Sequence, residues 1–128
     1  MRVAGLIARY LLGLIFVVFG ANGFLHFIPM PPPAGIAGQY MGALFVSHVL
    51  VVIFLLELIG GLLLLVGRYV PLALVLLGPV VVNIVLFHAM MAPSGLPIAS
   101  VVVILWLLTF WSYRAAFEHI FQHKHEAA

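Results

Sequence analysis

The segment LGPVVVNIVLFHAMMAPSG, residues 77–95, combines a long apolar run with two polar side chains, Asn83 and His88. Polar groups are costly in a nonpolar environment unless they are hydrogen-bonded. An apolar run that ends in Pro-Ser-Gly is typical of a membrane-spanning helix followed by a turn. The two polar side chains therefore need partners inside a helical bundle, or they have a function.

The composition of the whole chain agrees with a membrane protein. Of 128 residues, 66% are hydrophobic and 6% are charged, whereas soluble domains have roughly 45–50% apolar and about 25% charged residues. The length fits one domain. The absence of cysteine excludes disulfides, thiolate ligands and thiol redox relays. Five Lys and Arg residues give a net charge of +2, and their positions point to lipid headgroups rather than to nucleic acid.

Four apolar segments are each long enough to cross a hydrocarbon core, which takes about 20 residues. They cover residues 3–28, 41–66, 69–92 and 96–117, and residues 118–128 form a tail. The breaks between them contain PMPPPAGIAGQY, GRYVP and APSGLP, which are rich in proline and glycine. A cleaved signal peptide is the alternative for the first segment, but its apolar run exceeds a typical signal core.

The basic residues predict an orientation. They lie at the start of the first span, between the second and third spans, and after the fourth: Arg2, Arg9, Arg68, Arg114 and Lys124. The loops 29–40 and 93–95 contain no Lys or Arg. Cytoplasmic loops carry an excess of positive charge. We therefore expect an all-α, up-down-up-down four-helix bundle in the cytoplasmic membrane, with both termini cytoplasmic.

Three polar residues, Arg9, Glu57 and Asn83, form what we call the inner polar group. Glu57 lies nine positions before the end of the second span, so its depth is about 13 Å. Arg9 is the only cation expected at comparable depth, which predicts an Arg9–Glu57 ion pair with Asn83 completing the hydrogen bonds. Either these residues lock the bundle together or they form a proton or substrate relay. Asn83 alternatively caps a carbonyl freed by a kink at Pro79.

Four residues near the opposite membrane face form the outer polar group: Asn22, His26, His48 and His88. Asn22 and His26 are four residues apart and share a helix face. His48 precedes Glu57 by nine residues, so the two occupy opposite faces of a straight helix, which makes His48 the weaker candidate. The group could hydrogen-bond loop carbonyls, line a pocket for a quinone headgroup, or bind haem or copper together with nearby methionines.

The tail contains His119, His123 and His125, a spacing that also occurs in metal sites. A basic tail lying in solvent or among headgroups is the favoured interpretation.

Several stretches together resemble the DoxX-like family of small bacterial membrane proteins. They are ARYLLGLIFVVFGANGF, FIPMPPPAG, LELIGGLLLLVGRYVPLALVLLGPVVVNIVLFH and MAPSGLP, which extend from about Ala8 to Phe117. The resemblance implies a four-helix bundle in the cytoplasmic membrane. The family takes its name from a subunit linked to quinone-reducing sulfur oxidation, and other members look like partners of redox enzymes.

We therefore expect a multi-pass membrane subunit without a complete active site of its own, which interacts with a quinone, a redox-enzyme partner or further copies of itself. A small-molecule or proton-coupled carrier that uses the inner polar group is one alternative. A structural assembly factor is another.

Overall fold

The computed structural model describes residues 2–128 and consists of helices joined by short connections. The α-helices are α1 (Arg2–Leu25), α2 (Gly35–Val46), α3 (Val49–Val66), α4 (Val70–Met90) and α5 (Leu96–Ser112). Two 3₁₀ segments, Pro93–Gly95 and Arg114–Phe121, flank α5. Helices α1, α3 and α4 and the helical run Pro93–Ser112 are each long and apolar enough to cross a membrane. The chain is thus a multi-pass membrane protein.

The expected second span, residues 41–66, is divided into two helices. Its first part belongs to α2, which also takes up the end of the expected loop 29–40. The division occurs at Ser47 and His48, where His48 has the left-handed backbone conformation with φ of 65°. A left-handed residue cannot continue a right-handed helix. The apolar pattern extends across this turn because α2 is itself apolar, so hydropathy alone gave no sign of the break.

The helices of the other three spans each end before the limit expected from the sequence. Helix α1 ends at Leu25 rather than Ile28, and α4 ends at Met90. Helix α5 ends at Ser112, five residues before the expected limit at Phe117. Phe117 belongs to the following 3₁₀ segment, where it is buried and packs against Phe110 with 4.9 Å between ring centroids. Phe117 is thus buried although it lies outside α5, which explains why the apolar pattern in the sequence continued as far as this residue.

The long helices pack in a ring in which α1 and α4 each contact α3 and α5. Helices α1 and α3 run antiparallel, since Gly13 lies against Gly61 whereas Gly23, further along α1, lies against Phe54. Gly5 lies against Ser112, so the start of α1 and the end of α5 are at the same end of the bundle. We call this the terminal end.

The terminal half of the bundle contains an apolar core. Its fully buried side chains come from three helices: Leu12, Phe16, Leu64, Leu74 and Leu77. Large apolar side chains also cover the outside, for example Val82, Ile104 and Leu107, which are about half exposed. Such an exterior is costly in water but suits lipid. Helix α2 lies beside this ring, and at Gly42 an added Cβ would have no heavy atom within 4 Å.

Candidate functional site

Arg9 is buried near the terminal end, between α1, the end of α3 and the residue after α5. Its Nη1 donates to the Tyr113 hydroxyl over 3.0 Å, and its guanidinium carbon lies 4.5 Å from the centre of the Tyr10 ring. The guanidinium also contacts Gly67, which ends α3 with φ of 77°. The buried Nε atom has no hydrogen-bond partner. Arg9 is therefore held by aromatic side chains rather than by a carboxylate.

Glu57 lies near the middle of α3 and is 8% exposed. Its Cβ is next to Gly20 of α1, where the missing glycine side chain makes room for it. The side-chain hydrogen bonds found within residues 2–128 do not include Glu57. A carboxyl group that has no hydrogen-bond partner among residues 2–128 and belongs to a buried residue of a membrane bundle is costly, which makes Glu57 a candidate for function.

The expected Arg9–Glu57 ion pair is not formed. Glu57 is level with Gly20, which follows Arg9 by eleven residues on the same helix, a distance of about 16 Å along α1. The apolar core fills this interval. The sequence estimate placed Arg9 too deep, because the guanidinium is level with Gly67 at the very end of α3.

Asn83 lies on the other side of Glu57 from Arg9. Gly60 contacts Leu77, and this register places Asn83 about one helical turn, roughly 5 Å, beyond Glu57 towards the end opposite the termini. The Asn83 side-chain oxygen accepts a hydrogen bond from the Tyr40 hydroxyl of α2. The inner polar group is therefore split: Arg9 is separate, whereas Glu57 and Asn83 lie at similar depth. The side-chain amide of Asn83 is therefore hydrogen-bonded to Tyr40, and not to a backbone carbonyl freed by a kink at Pro79.

Asn22 of the outer polar group fastens the loop that follows α1. Its side-chain oxygen accepts from the Ile28 backbone N–H over 2.6 Å, and its amide donates to the Ile28 carbonyl over 3.2 Å. His26, four residues later, is exposed and has φ of 53° just after the helix end. Helix α1 stops at Leu25, so the shared face expected for the two residues is not present.

The remaining outer histidines also lie at helix boundaries. His88 donates from Nδ1 to the Ile84 carbonyl over 2.8 Å and packs against Gly95 at the start of α5. His48 is exposed in the turn between α2 and α3. Among residues 2–128, no three His, Asp or Glu side chains are grouped so that they could hold a metal ion. Asn22 thus hydrogen-bonds to a loop carbonyl, as one of the three interpretations expects, whereas His88 bonds to a carbonyl of its own helix.

An apolar groove of about 380 Å³ lies between α4 and α5. It is lined by Gly78, Val81, Val82, Val85, Leu86, Val103, Trp106 and Leu107. Trp106 donates from Nε1 to the Leu74 carbonyl over 3.2 Å, so its ring presents only apolar atoms to the groove. The shape and chemistry of the groove suit a hydrocarbon chain.

Sequence reasoning missed Tyr40 and Tyr113, the two hydroxyl partners of Asn83 and Arg9. Tyr40 was placed in the loop 29–40, and Tyr113 was placed within the expected fourth span, residues 96–117. Both contacts bridge residues far apart in the chain, 43 and 104 positions respectively. Periodicity within one helix carries no information on such pairs.

Comparisons with protein-family models, with curated proteins and with solved structures find no match to this chain.

Proposed function

We propose that the protein is a DoxX-like subunit of a redox-related complex in the cytoplasmic membrane, without a complete active site of its own. The sequence stretches that resemble the family support this assignment, as does the four-helix membrane bundle. The distribution of its five basic residues supports an up-down-up-down topology with both termini in the cytoplasm.

The main support for the proposal is that Arg9, Asn22 and Asn83 each hydrogen-bond to a residue outside their own helix. Asn22 hydrogen-bonds to both backbone groups of Ile28 in the loop after α1. Arg9 and Asn83 bond to tyrosines from other parts of the chain. Polar groups that fix helices in place are what a scaffolding subunit needs.

The groove between α4 and α5 supports an interaction with a quinone. Its apolar lining matches an isoprenoid tail, which would enter from the lipid because the groove lies on the bundle exterior. His88 lies one turn beyond Val85 of the groove on α4, a spacing that places both on one side of the helix. The quinone headgroup would then be near the membrane face opposite the termini.

Purification of the protein from its native membrane in mild detergent tests this proposal. We expect a subunit of a redox enzyme and a quinone to co-purify with it. Val82→Phe fills the groove and should lower the amount of bound quinone. Val75→Phe, at an exposed valine of the same helix outside the groove, is the matched control. Isolation of the chain alone, or equal quinone in both variants, would contradict the proposal.

A proton-coupled or small-molecule carrier is the second candidate, favoured by the unpaired carboxyl group of Glu57. Asn83 and Tyr40 lie about one turn away in depth and offer an amide and a hydroxyl for a polar ligand. Proton flux into proteoliposomes, followed with a pH-sensitive dye, should be lost in Glu57→Gln and kept in Glu118→Gln, a change at an exposed acid. Absence of flux through the unchanged protein would leave a scaffold or assembly role.

A further inference from the structure

A second pocket, of about 430 Å³, opens at the terminal end between α1 and α5. We call it the terminal pocket, and its lining consists of Arg2, Val3, Leu6, Ser112 and Tyr113. The lining combines one cation and two hydroxyl groups with apolar side chains. Val3 and Leu6 are 69% and 47% exposed on the outer side of α1, where lipid chains would lie.

A second cation lies behind the pocket. Arg9 is only 9% exposed, and its Nη1 donates to the hydroxyl oxygen of Tyr113. Because that oxygen accepts from a guanidinium, the Tyr113 proton is free to donate to an anion in the pocket. Arg9 therefore makes Tyr113 a stronger donor, since hydrogen bonds that involve ionised groups polarise their partners.

Among residues 2–128, no carboxylate is hydrogen-bonded to Arg9. The Arg9 side chain is bonded to Tyr113, and its Nε has no partner. Glu57 is about 16 Å away along α1, and the pocket lining contains no acidic residue. A buried cation without a carboxylate partner is costly, and an external anion bound nearby would offset that cost.

We propose that the terminal pocket binds the phosphate of an anionic phospholipid. The phosphate contacts the Arg2 guanidinium and the Ser112 and Tyr113 hydroxyls, and an acyl chain lies along Val3 and Leu6. The position of the pocket supports a lipid over a soluble phosphate compound, because the pocket lies where α1 begins and α5 ends, which is the headgroup level of a spanning helix. Basic pockets between membrane helices bind anionic headgroups in this way.

Native mass spectrometry of the purified protein, titrated with phosphatidylglycerol and with phosphatidylcholine, tests the site. We expect tighter binding of phosphatidylglycerol, because the choline ammonium of phosphatidylcholine would add a positive charge beside Arg2 and Arg9. Arg2→Gln and Tyr113→Phe should each weaken that binding about tenfold, because each removes a charge-assisted hydrogen bond. Arg68→Gln, at an exposed cation outside the pocket, is the control and should leave the affinity nearly unchanged.

Three results would overturn the proposal. They are equal affinity for the two lipids, an equal loss in Arg68→Gln and Arg2→Gln, and displacement of phosphatidylglycerol by an equal concentration of inorganic phosphate. The last result would assign the pocket to a soluble phosphate compound. Arg2 is exposed and its replacement leaves the packing intact, so Arg2→Gln remains informative if Tyr113→Phe fails to fold.

Discussion

The α1–α3 interface and the α4–α5 interface hold the same bundle together in opposite ways. At the first, backbones touch: a Cβ added to Gly61 would lie 2.9 Å from the Gly13 carbonyl oxygen. At the second, the bulky Trp106 side chain separates the helices, and a Cβ added to Gly78 would meet only the Trp106 ring, at 3.9 Å.

The difference decides where each kind of chemistry is located. Close approach of α1 and α3 excludes lipid, so Glu57 is buried there beside Gly20. The looser α4–α5 interface leaves an open apolar groove. Small residues allow membrane helices to pack closely, and this packing creates an interior in which a carboxyl group is shielded from lipid. At the α4–α5 interface, where the helices pack less closely, the apolar groove is suited to a hydrocarbon ligand.

The largest effect is expected from a side chain placed in the tight interface. Gly61→Leu should force α1 away from α3, because the new Cβ would lie 2.9 Å from backbone atoms of α1, which cannot move aside as a side chain can. The change should cost more than about 3 kcal/mol of folding free energy. Gly78→Leu, the same change at the looser interface, should cost much less, because the new side chain extends into the groove that Gly78 lines. Thermal unfolding in detergent, followed by tryptophan fluorescence, measures both. Equal melting temperatures for Gly61→Leu and the unchanged protein would refute the contrast between the interfaces.

Glu57→Leu should stabilise the bundle by about 1–3 kcal/mol, the usual cost of a buried polar group without a partner. The same variant should lose any function that depends on the carboxyl group. The melting temperature in detergent checks the first expectation, with Glu118→Leu as the control at an exposed acid. A lower melting temperature for Glu57→Leu would mean that the carboxyl group has a stabilising partner.

Trp106→Phe should have the smallest effect, a loss of about 1 kcal/mol from the missing hydrogen bond to the Leu74 carbonyl. The space that the smaller ring leaves merges with a groove that is already open, so little additional strain arises. Trp111→Phe, at an exposed tryptophan, serves as control. Because each variant removes one of the two tryptophans, thermal unfolding is here followed by circular dichroism. A loss as large as that of Gly61→Leu would show that the α4–α5 interface is equally tight.

The number of membrane helices could be predicted from sequence because each requires a long apolar run, and hydropathy reports that directly. The burial of Glu57 also followed from its cost in lipid. The break at His48 could not be predicted, since α2 and α3 are both apolar and the left-handed turn at His48 leaves hydropathy unchanged.

The partners of the polar residues were harder to predict. Arg9 and Glu57 are the obvious opposite charges, but a helix rises about 1.5 Å per residue, and a small error in span limits shifts the depth of a side chain by a full turn. The hydroxyls of Tyr40 and Tyr113 also compete as partners, and they become visible only when the helices are assembled.

The open surroundings of Gly42 on α2 have a practical consequence. The chain contains no cysteine, so Gly42→Cys would introduce a unique thiol at a position where a side chain meets no neighbour. Maleimide reagents that cannot cross a bilayer would then label intact cells only if α2 faces the outside. A single-thiol derivative of this kind also accepts a spin label or fluorophore, which makes the orientation of the whole chain directly measurable.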